Sequence, residues 1–180
     1  NTLIEADDEV FLIAARKNTR AIVGELRKLD RMVKRIIIAG GGHIGARLAQ
    51  VLEERFQVKV IERNPETAKR LCEQLGRAIV LQGDAADENL LRQENIEHVD
   101  VYCAVTNDDE ANILSAMQAK RMGARKVMAL INLVSYVDLV ESSGIIDVAI
   151  SPQQATIGSL LTHVRRGDVA KVHSLRRGAA

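Results

Sequence analysis

The sequence predicts an α/β protein built on a doubly wound, six-stranded parallel sheet. From residue 31 onward, apolar strand patterns alternate with amphipathic helix patterns through short connections, as a parallel sheet with crossover helices requires. The run Ile36-Ile-Ile-Ala39 is apolar at every position, which is typical of a strand covered on both faces. A glycine-rich turn follows this run directly. These observations predict a Rossmann-like sheet with the strand order 3-2-1-4-5-6.

The predicted elements alternate regularly along the chain. The predicted strands are residues 35–39, 58–62, 78–82, 99–104, 126–131 and 146–150. The predicted helices are residues 43–55, 65–75, 87–93, 108–122 and 134–142. Two of these helices have clear start signals. Asn64 and Pro65 provide an N-cap and an N1 proline, and Asn107 with Glu110 is expected to form a capping box.

A further helix is predicted after the sixth strand. Ser151 and Pro152 begin it, and apolar residues recur at three- and four-residue spacing through residues 153–166. The segment 151–168 is therefore expected to be a C-terminal crossover helix. It either covers the sheet or crosses to a partner subunit, and the sequence leaves both alternatives open.

Three segments lie outside this sheet pattern or at its ends. Residues 1–30 read as a strand and a helix, which we interpret as the end of a preceding small α+β domain. Residues 31–150 form the predicted Rossmann-like domain. Residues 169–180 are expected to begin a C-terminal domain that the sequence does not continue, so we expect the chain to be a piece of a longer polypeptide.

Composition narrows the class of protein. The 180 residues carry a net charge of +1, and aromatic residues make up 2% of the chain. Interspersed charges and so few aromatic side chains argue against a nucleic-acid partner, because base stacking needs aromatic surfaces. No apolar run approaches the roughly 18 to 20 residues that a membrane-spanning helix needs.

Neither the cysteines nor the acidic run predicts a metal site. Cys72 and Cys103 have no metal-ligand spacing and are expected to be buried thiols in a reducing cytoplasm. The acids at Asp108, Asp109 and Glu110 lie in a predicted first helical turn, where the helix dipole favours carboxylates. We therefore expect no metal.

The glycine turn predicts a phosphate-binding site. Gly40 allows a tight turn at the end of the strand, Gly42 allows the backbone to approach a pyrophosphate, and Gly45 allows close packing of the following helix. Unpaired N–H groups at the helix start then favour an anion. Glycines also gather at ordinary turns, so a connection without a ligand is the alternative.

An acid at the end of the second strand makes that alternative less favourable. Glu62 lies twenty-two residues beyond Gly40, at the position where a carboxylate accepts hydrogen bonds from ribose hydroxyls. Like-charge repulsion at this carboxylate disfavours a ribose 2′-phosphate, so NAD or an adenine mononucleotide is preferred over NADP. The neighbouring cation Arg63 reduces this preference.

Four further residues are candidates for the same crevice. Asp84 follows the third strand and is a candidate for the adenine side, with a local turn as its other interpretation. Thr106 and Asn107 follow the fourth strand and are candidates for the phosphates or the distal ribose, although helix capping explains them equally well. His43 lies in the glycine turn, within reach of a bound phosphate.

Five segments together resemble the TrkA type of peripheral, nucleotide-binding subunit of bacterial Trk potassium uptake systems, within the family of domains that regulate potassium conductance. They are Ile38–Gly45, Val60–Glu62, Gly83–Asp87, Thr106–Asn112 and Asp147–Pro152. The resemblance implies two tandem Rossmann-like units, of which residues 31–150 resemble the second. It also implies that Gly40, Gly41, Gly42, His43 and Ile44 face the pyrophosphate, that Asp84 and Ala85 lie on the adenine side, and that Thr106 and Asn107 border the distal half of the ligand.

The same resemblance implies a function. It implies a cytoplasmic regulatory module, peripheral on the inner face of the membrane, that binds NAD or NADH and controls an integral membrane potassium transporter as a homo-oligomer, a dimer or a tetramer. It implies no enzymatic activity. Two departures leave ATP or ADP as alternative ligands: His43 stands where some ATP-binding relatives carry arginine, and Leu130 stands where many relatives carry arginine.

Two enzyme alternatives are weaker. An NAD-dependent oxidoreductase would need a catalytic half, yet Tyr136 has no lysine four positions on, and His98 is predicted at the sheet edge opposite the crevice. A methyltransferase also uses an acid after the second strand, but the glycine spacing, with Gly45 as the third glycine, argues against it.

Overall fold

The computed structural model describes Ala15 and residues 32–164, with the side chains of residues 158, 159 and 161–164 left undescribed. The chain divides into two units, Asn1–Met32 and Val33–Ala180, and every element below belongs to the second unit. Apart from Ala15, the predicted domain end at residues 1–30 lies outside the described residues, as does the segment 169–180. The proposed domain boundaries therefore stay predictions.

Six parallel strands form a single sheet. They are Arg35–Ala39 (β1), Gln57–Glu62 (β2), Ile79–Gln82 (β3), Val101–Ala104 (β4), Lys126–Leu130 (β5) and Val148–Ile150 (β6). Every neighbouring pair is parallel, and the order is β3-β2-β1-β4-β5-β6. The predicted doubly wound topology is confirmed.

Within residues 32–164, six α-helices connect the strands or follow them. They are His43–Leu52 (α1), Pro65–Gln74 (α2), Glu88–Gln93 (α3), Asp109–Arg121 (α4), Val134–Ser143 (α5) and Pro152–Val164 (α6), with a 3₁₀ turn at Ile96–His98 before β4. The predicted strands and the helices between them are confirmed, with no end shifted by more than three residues. None of the helices within residues 32–164 combines the length and the apolar content that crossing a bilayer requires.

The sheet is covered on both faces, which explains why its strands read as continuous apolar runs. On one face, helices α3, α4 and α5 contribute Leu91, Ala116, Ala119, Val137 and Val140 to a cluster with the strand residues Ile37, Ile61, Tyr102 and Val127. On the other face, α1 and α2 contribute Ala49, Leu71 and Leu75 to a cluster with Ile36, Ile38, Val58 and Val60. Alternate residues of β1 therefore pack in opposite directions.

One predicted helix start is confirmed and one is wrong. Asn64 caps α2, since its side-chain oxygen accepts a hydrogen bond from Thr67 N at 3.0 Å. The capping box expected from Asn107 and Glu110 does not form. Asp108 is the N-cap of α4 instead, and its carboxylate accepts a hydrogen bond from Ala111 N at 2.8 Å. The helix starts later because Asp108 N donates to the Thr106 hydroxyl.

One cysteine prediction is also wrong. Cys103 is buried in β4, as expected, but Cys72 is exposed on α2. The buried side of α2 carries Ala68 and Leu71, and Cys72 lies beside that stripe rather than on it. The residue type at position 72 therefore did not determine whether its side chain is buried.

Candidate functional site

The candidate site is the crevice above the carboxyl ends of β1 and β4. These two strands pair side by side, while the helices that follow them pack on opposite faces of the sheet. A hydrogen bond of 2.8 Å from Val105 N to the Ala39 carbonyl continues the pairing up to the crevice. A sheet opens at such a switch point, which is where α/β proteins bind ligands.

Two glycines of the turn are required by the backbone. Gly40 has φ +105°, and a Cβ there would lie 2.9 Å from Thr106 Cγ2. A Cβ at Gly45 would overlap the carbonyl oxygen of Gly40, so only glycine lets α1 start this close to the turn. This steric requirement agrees with a tight turn at Gly40 and with close packing at Gly45. For Gly45 the close neighbour is the turn itself rather than the sheet.

Gly42 differs from these two glycines because it borders open space. It is the N-cap of α1 with φ −66° and ψ −169°, which is extended backbone, and no heavy atom lies within 4 Å of a Cβ placed there. No described side chain caps α1, and its first turn carries no acid. His43 and Ile44 are exposed. The uncapped N–H groups of a ten-residue helix therefore face an open crevice, which is a favourable environment for an anion.

Glu62 lies directly beside the glycine turn. One carboxylate oxygen accepts a hydrogen bond from Gly41 N at 2.6 Å, and the other accepts one from Asn64 N at 2.7 Å. An ionised carboxylate offers about four acceptor positions, so about two remain for hydroxyl groups of a ligand. Gly41 itself has no room for a side chain, since a Cβ there would overlap Leu71. The structure thus brings Glu62 to the turn and gives it a bracing contact that the sequence did not predict.

Thr106 forms the opposite wall of the crevice. Its Cγ2, N and Cα atoms all lie within 3.1 Å of a Cβ placed on Gly40, so the two turns are in direct contact. Its N–H and its hydroxyl both donate to Asn112 Oδ1, at 2.8 and 2.7 Å. Asn107 is exposed immediately after it. The structure therefore brings Thr106 to the glycine turn.

The connection after β3 runs beside Glu62. Gly83 N donates to the Glu62 carbonyl at 3.0 Å. Asp84 is exposed, and its carboxylate accepts from Ala86 N at 2.9 Å, which is the local turn interpretation. The Ala85 carbonyl accepts from the Tyr102 hydroxyl at 3.0 Å, and burial raises the pKa of Tyr102 well above its usual value. A contact of Asp84 or Ala85 with an adenine stays a prediction. Arg63, the cofactor-binding candidate next to Glu62, is exposed, and its contact with the nucleotide also stays a prediction.

Two buried polar residues of α4 were missed by the sequence analysis. Asn112 is fully buried, and Asp109 is nearly so. Asp109 accepts hydrogen bonds from Asn132 N, Asn132 Nδ2 and Leu133 N at 2.8 to 2.9 Å. Burial alone would raise the pKa of Asp109, but these donors hold it below its usual value. The signal was available in the sequence, because Asn112 shares the helical face of Ala116 and Ala119, where an apolar residue is expected.

The other titratable residues of interest lie away from the crevice. His98 lies in the 3₁₀ turn before β4, at the opposite edge of the sheet, where it lines a cavity of about 430 Å³ with Arg35 and Lys59. Within residues 32–164, no three histidine, cysteine or acidic side chains converge on a common point suited to a metal ion. The described crevice thus combines backbone N–H groups and a carboxylate.

The family is decided by comparison with known proteins. The model of the TrkA-N domain family matches residues 36–152, which include the six strands except Arg35 and the residues of the crevice. The chain belongs to the TrkA-N domain family. This result agrees with the resemblance carried by the glycine turn and Glu62.

The TrkA-N chain is similar to longer curated proteins. It is 62% identical over all 180 residues to the Trk system potassium uptake protein TrkA of Halomonas elongata, and it covers 39% of that protein. The chain thus spans about two fifths of the length of the curated relatives it matches.

Solved structures share the TrkA-N fold. The TrkA-N domain of inner membrane protein ybaL from Escherichia coli superposes with a TM-score of 0.65 at 14% identity, covering 75% of this chain and 99% of that one. The GsuK channel bound to NAD superposes with a TM-score of 0.60 at 17% identity, covering 81% of this chain and 28% of that one. At these identities the likeness shows the fold alone.

Proposed function

We propose that this TrkA-N chain is a regulatory, non-catalytic module that binds NAD or NADH and controls an integral membrane potassium transporter. The observation that carries the proposal is the open, uncapped start of α1 at Gly42, with the Glu62 carboxylate on the adjoining turn. The names of the relatives, which are Trk system potassium uptake proteins, support the transporter as partner. The GsuK channel, described as bound to NAD, supports the ligand.

The chemistry of the crevice suits a dinucleotide. The pyrophosphate would receive hydrogen bonds from the first turn of α1, and the remaining acceptor positions of Glu62 would receive the ribose hydroxyls. A 2′-phosphate would meet the Glu62 carboxylate, which disfavours NADP. ATP and ADP share the adenosine and phosphate groups and are the alternative ligands.

The described residues support a binding role rather than catalysis. The Tyr136 hydroxyl, the candidate proton donor of an oxidoreductase, donates to Glu110 at 3.0 Å, between the first turns of α4 and α5. His98 lies at the opposite edge of the sheet from the crevice. The Thr106 hydroxyl donates to Asn112. These candidate proton donors are thus either engaged in a hydrogen bond or away from the crevice.

The partner proposals rest on the exposed face of α6. Ile157 and Leu160 are 48% and 58% exposed, so these two side chains do not cover the sheet. This exposure favours the second alternative for the crossover helix, contact with another subunit of a homo-oligomer. We further propose that the module is cytoplasmic and peripheral on the inner face of the membrane, where a potassium transporter would expose its regulatory surface.

Calorimetric titration of the 180-residue chain tests the ligand. We expect NADH, NAD or ADP to bind, and NADPH to bind more weakly. Glu62→Ala is expected to weaken binding about tenfold or more, because it removes charge-assisted hydrogen bonds. Glu73→Ala removes an exposed acid from the last turn of α2 and is the matched control for charge. Equal affinity in the two variants would remove Glu62 from the site.

One further measurement tests the regulatory claim, and two others test the enzyme alternatives. Potassium flux into vesicles that contain the transporter and the longer protein carrying this chain should depend on NADH, and Glu62→Ala should reduce that dependence. Nucleotide binding without any effect on flux would contradict the proposed regulation. Oxidation of bound NADH by added carbonyl substrates would favour the oxidoreductase alternative, and tight binding of adenosylmethionine would favour a methyltransferase.

A further inference from the structure

The first turns of α4 hold one polar residue whose every hydrogen-bonding position is used. Asn112 Oδ1 accepts from Thr106 N at 2.8 Å and from Thr106 Oγ1 at 2.7 Å. Asn112 Nδ2 donates to the Thr106 carbonyl at 3.0 Å and to the Leu130 carbonyl at 2.9 Å. An asparagine amide has two acceptor positions and two donors, so this side chain is saturated. It is also fully buried, where lost hydrogen bonds are most costly.

Asn112 determines where one wall of the crevice lies. Three of its four hydrogen bonds go to Thr106, at the backbone N–H, the backbone carbonyl and the hydroxyl. Thr106 in turn contacts the Gly40 backbone closely enough to exclude a Cβ there. The position of Asn112 therefore sets how Thr106 meets the glycine turn.

The fourth hydrogen bond connects this wall to the end of β5. Leu130 is the last residue of β5, and the next residues form the β5–α5 connection. Asp109, one helical turn before Asn112, holds that connection through Asn132 N and Leu133 N. The start of α4 thus binds the crevice wall on one side and the β5–α5 connection on the other.

We propose that Asn112 is a positioning residue for the nucleotide crevice and couples nucleotide occupancy to the β5–α5 connection. The proposal rests on the nucleotide-binding function proposed above. A ligand that binds best when Thr106 is held in place also favours the arrangement in which Asn112 holds Leu130. Coupling between two sites is reciprocal, so an ordered connection in turn favours the ligand. The exposed apolar residues Leu133 and Val134 would carry the change to the surface.

The test compares Asn112→Ala and Asn112→Asp with Glu53→Gln in the 180-residue chain. Glu53 accepts hydrogen bonds from three backbone N–H groups, at Gly76, Arg77 and Ala78, at the end of α1 far from the crevice. It is therefore a matched control for weakening a side chain that holds several backbone N–H groups. Asn112→Asp keeps the acceptor for Thr106 but replaces the donor to the Thr106 and Leu130 carbonyls with an oxygen, and it is the second variant.

Two readouts are measured at a temperature where each variant is fully folded by circular dichroism. We expect NADH affinity to fall about tenfold in the Asn112 variants and to stay unchanged in Glu53→Gln. We also expect NADH to slow amide hydrogen exchange in residues 130–134 of the unchanged chain and of Glu53→Gln, and this protection to disappear in both Asn112 variants. If Asn112 only stabilised the fold, both readouts would be the same in the folded Asn112 variants as in the unchanged chain.

The outcomes separate this inference from the proposed function. Failure of the unchanged chain to bind NADH and ADP would overturn both. Binding by the unchanged chain, with equal affinity in folded Asn112→Asp and unaltered protection of residues 130–134, would overturn the inference alone. Weaker binding without loss of protection would contradict the coupling and leave Asn112 as a positioning residue of the crevice wall only.

Discussion

Replacement of Gly42 by alanine should separate ligand binding from folding. Gly42 has an extended backbone that alanine adopts freely, and a Cβ there meets no heavy atom within 4 Å. Alanine is a poorer N-cap than glycine by roughly 0.5 to 1 kcal/mol. Reduced freedom of the unfolded chain offsets this by about 0.4 to 1 kcal/mol. The free energy of unfolding should therefore change by less than about 1 kcal/mol.

The same methyl group should reduce nucleotide affinity strongly. It would project into the open space that the uncapped N–H groups of α1 face, which is where a pyrophosphate must approach the backbone. Loss of one charge-assisted hydrogen bond is worth about 1.5 to 3 kcal/mol, or roughly ten- to more than a hundredfold in affinity. For Gly42→Ala we therefore expect a nearly unchanged free energy of unfolding together with a large loss of nucleotide affinity.

Gly45→Ala is the matched comparison because it adds the same methyl group three residues later. Its Cβ would lie well inside 3.0 Å from the Gly40 carbonyl oxygen, so the backbone itself must move. We expect a cost of about 3 kcal/mol and a fall of roughly 10 °C in the unfolding temperature. Thermal unfolding and NADH titration of the Gly42→Ala and Gly45→Ala chains measure these effects. A Gly42→Ala chain that binds NADH as well as the unchanged chain would refute the placement of the phosphate.

Two further predictions concern buried polar groups. Asp109→Ala should lower the free energy of unfolding by about 1 to 3 kcal/mol at neutral pH, because it leaves Asn132 N and Leu133 N without their acceptor. Folding lowers the pKa of Asp109, so its contribution to stability is present at neutral pH and should shrink below about pH 4. Chemical denaturation of both proteins across pH would measure this change. A stability difference that grew on acidification would contradict the prediction. Burial raises the pKa of Cys103 to about 11, whereas Cys72 is exposed. A thiol reagent should therefore modify Cys72 in the folded chain and Cys103 only on unfolding. Rapid modification of both would show that β4 is less protected than its burial indicates.

Much of the fold could be predicted because its signals are local. Apolar runs such as Ile36-Ile-Ile-Ala39 identify parallel strands, and their alternation with helices leads to the observed strand order. Asn64 and Pro65 identify a helix start by the same kind of local chemistry. The Asn107 capping box failed because the next residue, Asp108, is also a good N-cap and begins the helix one residue later, and sequence spacing does not rank such competitors.

The sequence by itself determined the elements, the glycine turn and the acid that faces it. Those features depend on backbone sterics and on side-chain periodicity, which act over a few residues. Only the tertiary structure decided which polar groups meet: Glu62 with Gly41 across 21 positions, Asn112 with Leu130 across 18, and Asp109 with Asn132 across 23. Such contacts depend on the register between strands and on the packing of α4 against the sheet. The sequence therefore predicts where a nucleotide would bind, and the packing of the helices on the sheet determines which hydrogen bonds hold that site in shape.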